Sequence, residues 1–555
     1  MKRLQKGLTV IILAVIAVAC NDAKETADMI ITNAKIWTGN EKQPIAEAMA
    51  VTGDTIVVIG GTGEVMKHKG INTTVIDLGG RFVTPGFIDS HVHFLEGGSN
   101  LASVQLRDAS TPEEFISLIK AFAAKQKPGA WILGGGWDGK GWESLPEKGW
   151  IDSVTPDNPV FVSRLDGHMA LANSLALKLA GIDAGVKDVM GGSIGRDSRG
   201  DLTGILKDNA MDMVFNIIPP APEEEVEKAL VAGMDYFASN GVTSVQAVDA
   251  GSYADAIAAV RSRGQLITRV YVMHTISSWN ALKEQTDREG FGDKWIRTGG
   301  VKGFVDGSLG SHTAAFIDPY TDMVTDSGLF VNSKEDLYSW VSNADKSGEQ
   351  VVIHAIGDRA INFLLNTYER VAQENGERDR RFRIEHSQHI APGDIERYAN
   401  LNVIASMQPY HAIDDGKWAE PLIGTERMKT TYAFRSLLDA GALLAFGSDW
   451  PVAPATPLEG IYAAVTRRTL DDKNPDGWIP EQKITVEEAL RAYTKDAAYA
   501  SFEEGIKGTL EPGKLADFVV LDNDITTIDP VKIRDVKVLQ TFVGGKKVFD
   551  SNDDR

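Results

Sequence analysis

TPGFIDSHVHF, residues 84–94, decides how this chain is read. Phe87, Ile88 and Val92 give it strand character, and a strand turns residues i and i+2 to one face, so His91 and His93 project side by side. Two imidazoles one strand step apart can grip a single divalent transition metal at about 2.0–2.1 Å. An isolated His-x-His pair is often surface or core decoration. Its weight here comes from three later stretches, VVIHAIGD, RIEHSQ and AFGSDWP, each of which ends an apolar run on a residue able to bind metal.

Working outward, the segments before this strand are short and rich in β-branched residues, punctuated by Gly and Asp: MIITNAKIWTG, AMAVTGDTIVVIGG and TVIDLGGRFVTPG. The same texture returns at the far end in GTLEPGKLADFVVLDND and KVLQTFVGGKKVF. Both ends are therefore expected to build one composite β-sandwich from residues 29–83 and 505–555, flanking a central domain over 84–504.

Within that domain, strand-like runs alternate with amphipathic helical stretches: VTSVQAV (242–248), ITRVYVM (267–273), VKGFV (301–305), VVIHA (351–355), FRIEH (382–386), VIASMQ (403–408) and LLAFGSD (443–449). With the strand at His91 they make eight, the count of a TIM-like (β/α)8 barrel in the α/β class, although a doubly wound sheet shares much of the pattern. Helix signals agree. Pro222 opens a helical run that Gly241 stops, and Thr485 with Glu488 forms a capping box. Residues 95–240 separate the first strand from the second. An insertion of that length in a βα loop falls on the face where barrels keep their sites, and is read as a lid or substrate-shaping subdomain.

The chain has 555 residues, 43% hydrophobic and 24% charged, enough for a large domain plus a smaller one. A formal net charge of -20 argues against a nucleic-acid partner, whose phosphates would be repelled. A small-molecule substrate suits it, and a homodimer is compatible with it. Residues 1–20 place Lys2, Arg3 and Lys6 ahead of an apolar core ending in Ala17-Val18-Ala19-Cys20, which reads as an export signal. The arrangement resembles a bacterial lipobox, with Cys20 the lipidated residue, 21–28 a tether, and a lipid anchor as the sole link to a membrane of the cell envelope. Secretion with an incidental cysteine is the alternative. Cys20 is the single cysteine, so the mature body has no intrachain disulfide and any metal rests on N and O donors.

In a barrel the C-terminal ends of the strands converge on one mouth. Here they carry His91, His93, Lys302, His354, His386 and Asp449. Each singly has a structural explanation, a hydrogen-bonded core histidine or a turn aspartate. Together they point to a site.

With these residues in view the chain resembles the metal-dependent amidohydrolase superfamily, and within it amidohydrolase family 3, the branch that includes N-substituted formamide deformylases. The motifs that carry the resemblance are TPGFIDSHVHF, VKGFVDGSLGS, VVIHAIGDRAI, RIEHSQ, AFGSDWPV and the closing GTLEPGKLADFVVLD. It implies a sandwich plus barrel, one or two zinc ions or another divalent transition metal, and His91, His93, His354 and His386 as ligands. Asp449 is then a ligand or the base beside the metal. A lysine aimed at dications must be neutral, a state favoured by burial and nearby positive charge. Neutral lysine can add carbon dioxide, and the resemblance implies that Lys302 is N6-carboxylated, a carbamate between two metals, where the ions are paired; the alternative is a lysine that pairs with Asp306 and binds no metal.

The implied reaction is hydrolysis of a non-peptide, amide-type C–N bond. Asp449 moves the proton, and His168 or His411 supports the oxyanion. Trp137, His168, His312, Gln408 and His411 are candidates for substrate contact; His312 stands where the family usually has arginine. Asp358 is expected to cap a helix, and Arg383 and Glu385 to sit on the opposite strand face from His386, paired with helices. Two other readings remain: a catalytically silent envelope lipoprotein that binds metal or solute, and the same site acting on an ester or lactone or as a deaminase.

Overall fold

Eight parallel strands pair in chain order around a ring: β1 (Phe87–Val92), β2 (Val242–Ala247), β3 (Arg269–Thr275), β4 (Ile296–Phe304), β5 (Gln350–Ala355), β6 (Arg383–His386), β7 (Ile404–Met407) and β8 (Leu444–Phe446). The structure is a computed structural model that describes residues 26–139 and 141–553. The export segment with Cys20, and residues 21–25 of the tether, lie outside the described residues. The runs at β1, β2, β5, β6, β7 and β8 are buried along their whole length, as apolar strands must be when helices cover one face and packed side chains the other. Between β8 and β1 the ring closes just past the strand, where Asp449 N–H donates to His91 O and His93 N–H to Trp450 O, both at 2.8 Å. That closure brings Asp449 beside the two histidines of β1.

The helix Glu223–Ser239 follows Pro222 and is ended by Gly241 at φ +79°, and Thr485 and Glu488 exchange both bonds of a capping box. Asp358 does not cap: Gly357 does, and Asp358 opens the helix Asp358–Asn375 while accepting from Ile317 N–H at 2.7 Å. Among the described residues no helix is long and apolar enough to cross a membrane.

Strands from both ends of the chain share a sheet. Phe82–Pro85, leading into β1, pairs with Phe518–Leu521, and the sheet continues through Val538–Val543 and Lys546–Asp550 on one side and Lys35–Trp37 and Ile45–Ala46 on the other. A four-stranded sheet of Ala27–Thr32, Ala48–Thr52, Thr55–Gly60 and Lys69–Asp77 faces it across a core that includes Ile31, Met49, Val83, Phe518 and Phe542. Arg269 at the start of β3 holds Asp517 with two bonds, at 2.6 and 2.9 Å, so the β layers and the barrel are joined by a buried bidentate pair.

Residues after β1 form a third sheet of six strands, with Val104–Gln105 and Gly192–Arg196 at its edges. It is fastened across the barrel mouth. Ser308 and Ser311, in the loop after β4, donate to Asp166 Oδ2 at 2.7 and 3.0 Å, and Lys207 donates to Ser311 O at 2.9 Å. Beside β8, Arg107 donates to Val452 O at 2.5 Å. The insertion is thus a wall of the mouth, anchored at well-separated strand ends.

Candidate metal centre

His91 occupies the end of β1 and is fully buried. Its Nε2 lies 3.3 Å from Asp449 Oδ1 and 3.4 Å from Lys302 Nζ. His93, one step further, brings its Nε2 to 3.5 Å from the same Asp449 oxygen. The His386 ring centroid is 5.0 Å from that of His91 and 4.4 Å from that of His354. All six strand-end residues therefore meet at one pole. The tightest group within it is His91, His386 and Asp449, which each offer a ligand atom within 4.8 Å of the others'. His93, Lys302 and His354 border that trio, and His354 Nε2 is engaged with Gly307 O at 3.1 Å.

Strand alternation alone does not produce this set. Arg383 and Glu385 share one face of β6, which strict alternation makes the face opposite His386, and both were expected to turn outward. The structure corrects this. Glu385 reaches His91 Nδ1 and accepts from Ser406 Oγ of β7 at 2.7 Å, while Arg383 bonds Glu385, Gln246 of β2 and the Ser90 carbonyl of β1. These partners lie across the ring, so both side chains point into the barrel. His386 joins them because its φ is +72° and that of Ser387 +45°: the backbone leaves β geometry at the strand end and swings the imidazole inward. Glu385 holds His91 in the tautomer with hydrogen on Nδ1, leaving the Nε2 lone pair for an ion. Gln408 does the same kind of work for His386, with its Oε1 2.9 Å from Nδ1.

Electrostatics favours neutral ligands. Burial holds His91, His354 and His386 well below the ordinary imidazole value, helped by nearby cations such as Lys302. His93 differs. Burial opposes its charge, but the carboxylates of Asp249, Asp449 and Glu96 outweigh it and raise the group to about 9. Burial brings Lys302 down to about 8 against the pull of Glu385 and Asp449, so a neutral amine is within reach. Lys302 does not pair with Asp306. That carboxylate accepts from the backbone N–H of Ala315, Ile356 and Gly357 at 2.8–3.0 Å, tying the loop after β4 to that after β5 and setting His354.

A sequence model described as Amidohydrolase family matches residues 74–549. The chain belongs to the amidohydrolase family. It is 42% identical over 539 residues to Protein LONG AFTER FAR-RED 3 of Arabidopsis thaliana, covering 94% of this chain and 92% of that protein. It is 28% identical to the N-substituted formamide deformylase of Arthrobacter pascens, covering 93% of this chain and 97% of that one. Among solved structures, an uncharacterized metal-dependent hydrolase from Pyrococcus horikoshii OT3 superposes with a TM-score of 0.74 at 28% identity, covering 90% of this chain and 99% of that one.

Above the metal pole this amidohydrolase-family chain encloses a cavity of about 1230 Å³ between barrel and insertion. His168 and His411 line it. His168 is held through Nδ1 by Asp208 Oδ1 at 2.7 Å, and its ring centroid lies 5.1 Å from that of His354. His411 Nε2 is buried without a hydrogen bond, its ring parallel to that of His386.

The other three expected contacts do not reach the cavity. Trp137 is fully buried in the insertion's core, donating to Val162 O at 3.0 Å, because the glycines around it let a strand pack its indole inward. His312 pairs with Asp322 at 3.0 Å and packs with its ring tilted against Tyr320, in a left-handed turn at φ +57° that points it away from the mouth. Gln408 is wholly buried behind His386. Sequence reasoning missed Glu385 and Asp249. Glu385 had a readable signal in its adjacency to a ligand-type histidine; Asp249, just past β2, had none.

Proposed function

We propose that this chain hydrolyses an amide-type C–N bond of a small molecule, using a divalent transition metal, zinc in the first instance. One observation carries the reading. Asp449 Oδ1 is buried and accepts no hydrogen bond, yet the Nε2 atoms of His91 and His93 face it at 3.3 and 3.5 Å. With the His91 proton taken by Glu385, a carboxylate oxygen and an imidazole lone pair point at the same space, an arrangement that a cation between them satisfies. His91, His386 and Asp449 would hold the ion with His93 beside it, and His354 and a carboxylated Lys302 would serve a second.

Such an ion supplies Lewis acidity toward a carbonyl and lowers the pKa of its water from 15.7 toward about 7. The chain's own residues do the rest. Asp449 accepts the proton of the attacking water and delivers it to the leaving nitrogen. His168, fixed by Asp208, turns the free edge of its ring to the cavity, where it supports the oxyanion together with His411. The insertion walls the mouth, which reduces the bulk water around the reacting carbonyl.

The formamide deformylase relative makes N-substituted formamides the first substrates to try. Metal analysis of the purified protein followed by turnover on formamides, cyclic amides and carbamates tests the proposal. Tightly bound metal with no hydrolysis across that panel would overturn it and favour a binding protein. Residues 1–20 support placement at a cell envelope by lipidation of Cys20, checked by membrane fractionation of Cys20→Ser.

A further inference from the structure

The cavity has two kinds of lining. At the barrel end it is polar, with the metal pole and His168. Toward the insertion it is apolar: Trp131, Leu133, Phe161, Met211, Phe215 and Ile218 face it. The Phe161 and Phe215 rings meet edge to face at 5.0 Å, and Trp131, Leu133 and Ile218 rest on the same packed cluster as Phe161 and Met211 while remaining half-buried. An amide group alone leaves most of a cavity of about 1230 Å³ unfilled. Apolar side chains held half-open in a concavity gain from covering by an apolar group.

Charge restricts that group further. Arg164, Lys228 and Lys302 are the Arg and Lys side chains that line the space among the described residues. Arg164 directs Nη1 to Asp166, Nη2 to the Asp138 carboxylate and Nε to the Asp138 carbonyl. Lys228 pairs with Glu224 at 2.7 Å with its side chain 71% exposed, and Lys302 belongs to the metal pole. Against them stand Glu96, Asp138, Asp414 and Asp415 in the same wall. Outside the metal pole, a carboxylate on the substrate would find the lining cations already engaged by acidic groups, His168 by Asp208 among them.

We infer that the insertion forms a substituent subsite for an uncharged apolar chain or aryl group of about six carbons or more, and that it rejects substrates bearing a carboxylate beside the amide. This rests on the hydrolase reading above and narrows it from any small amide to amides of hydrophobic amines.

The test compares N-methylformamide, N-pentylformamide, N-hexylformamide and N-formylnorleucine, the last being the pentyl compound with a carboxylate added. At roughly fourfold per buried methylene, kcat/KM should climb steeply from methyl to hexyl. N-formylnorleucine should fall roughly tenfold or more below N-pentylformamide. Leu133→Asn and Ile218→Asn, both at half-buried positions, should flatten the climb, with circular dichroism and metal content checking that the variants are folded. A flat chain-length profile in the wild type, or a preference for N-formylnorleucine, would overturn the inference with the hydrolase intact. If none of the formamides, cyclic amides and carbamates is hydrolysed, the hydrolase reading fails instead. The subsite is then judged by calorimetry of N-hexylformamide against N-methylformamide on the same protein: selective binding of the hexyl compound supports it, and equal or absent binding overturns it.

Discussion

His91 Nδ1 and Glu385 Oε2 form a hydrogen bond between side chains 294 positions apart, both fully buried. The bond joins the first barrel strand to the sixth, and through Arg383 it reaches Gln246 on the second. A carboxylate behind a ligand-type imidazole fixes its tautomer and raises its basicity. Glu385→Gln is therefore expected to weaken metal binding by roughly 10–100-fold, read by competition with a chromophoric chelator. It should also lower Tm, since Arg383 keeps its charge in the barrel interior without its partner. Unchanged metal affinity with a lowered Tm would show that Glu385 serves Arg383 alone.

Asp449→Asn retains one oxygen donor and the shape but loses the charge and the base. The expected result is near-normal metal content with activity lower by roughly 10²–10⁴-fold, measured by elemental analysis and steady-state kinetics on one preparation. Near wild-type turnover would remove Asp449 from the proton-transfer role.

Stability of the metal-free protein should depend on pH with a definite sign. His91, His354 and His386 are depressed well below 6.5 by burial, so as pH falls through about 6.5 the unfolded chain takes up protons that the folded one does not, and stability drops. His93, raised to about 9, acts the other way: its contribution is complete below about 6.5 and is lost as pH rises through about 9. Asp89, Asp306 and Glu349, buried carboxyls raised to about 7, act with His93, so the rings are tested by difference: His354→Asn should lose less Tm than the wild type between pH 7 and pH 5 after chelator treatment. An equal pH dependence in the two proteins would contradict a depressed His354.

Trp137 sits in the core of the insertion rather than on the cavity wall. Trp137→Ala is expected to cost about 3–5 kcal/mol of stability, as large-to-small changes in a packed core do, with KM of the folded fraction unchanged. Denaturant titration and kinetics at low temperature separate the two. A raised KM with little loss of stability would return Trp137 to the substrate wall.

Much of the architecture is written locally. The eight β-branched runs predict β1 to β8, because a strand buried on both faces must be apolar throughout. The first and last residues of those runs shift by a few positions, as with Ile296–Phe304 against 301–305, since ladder pairing extends a strand past its most hydrophobic stretch. Local texture also pairs the two chain ends, whose strands meet where Phe82–Pro85 joins Phe518–Leu521.

The chain by itself determined that polar groups stand at the ends of apolar strands, and so that His91, His93, Lys302, His354, His386 and Asp449 gather wherever those ends converge. Only the tertiary structure decided which neighbours they meet. Whether Glu385 turns in or out depends on a left-handed φ at His386, which no alternation pattern announces. Whether Trp137 faces substrate or core depends on how the insertion's sheet packs. Periodicity records which residues avoid water; orientation toward a partner hundreds of positions away is set by closure of the ring, and that closure exists only once every strand is in place.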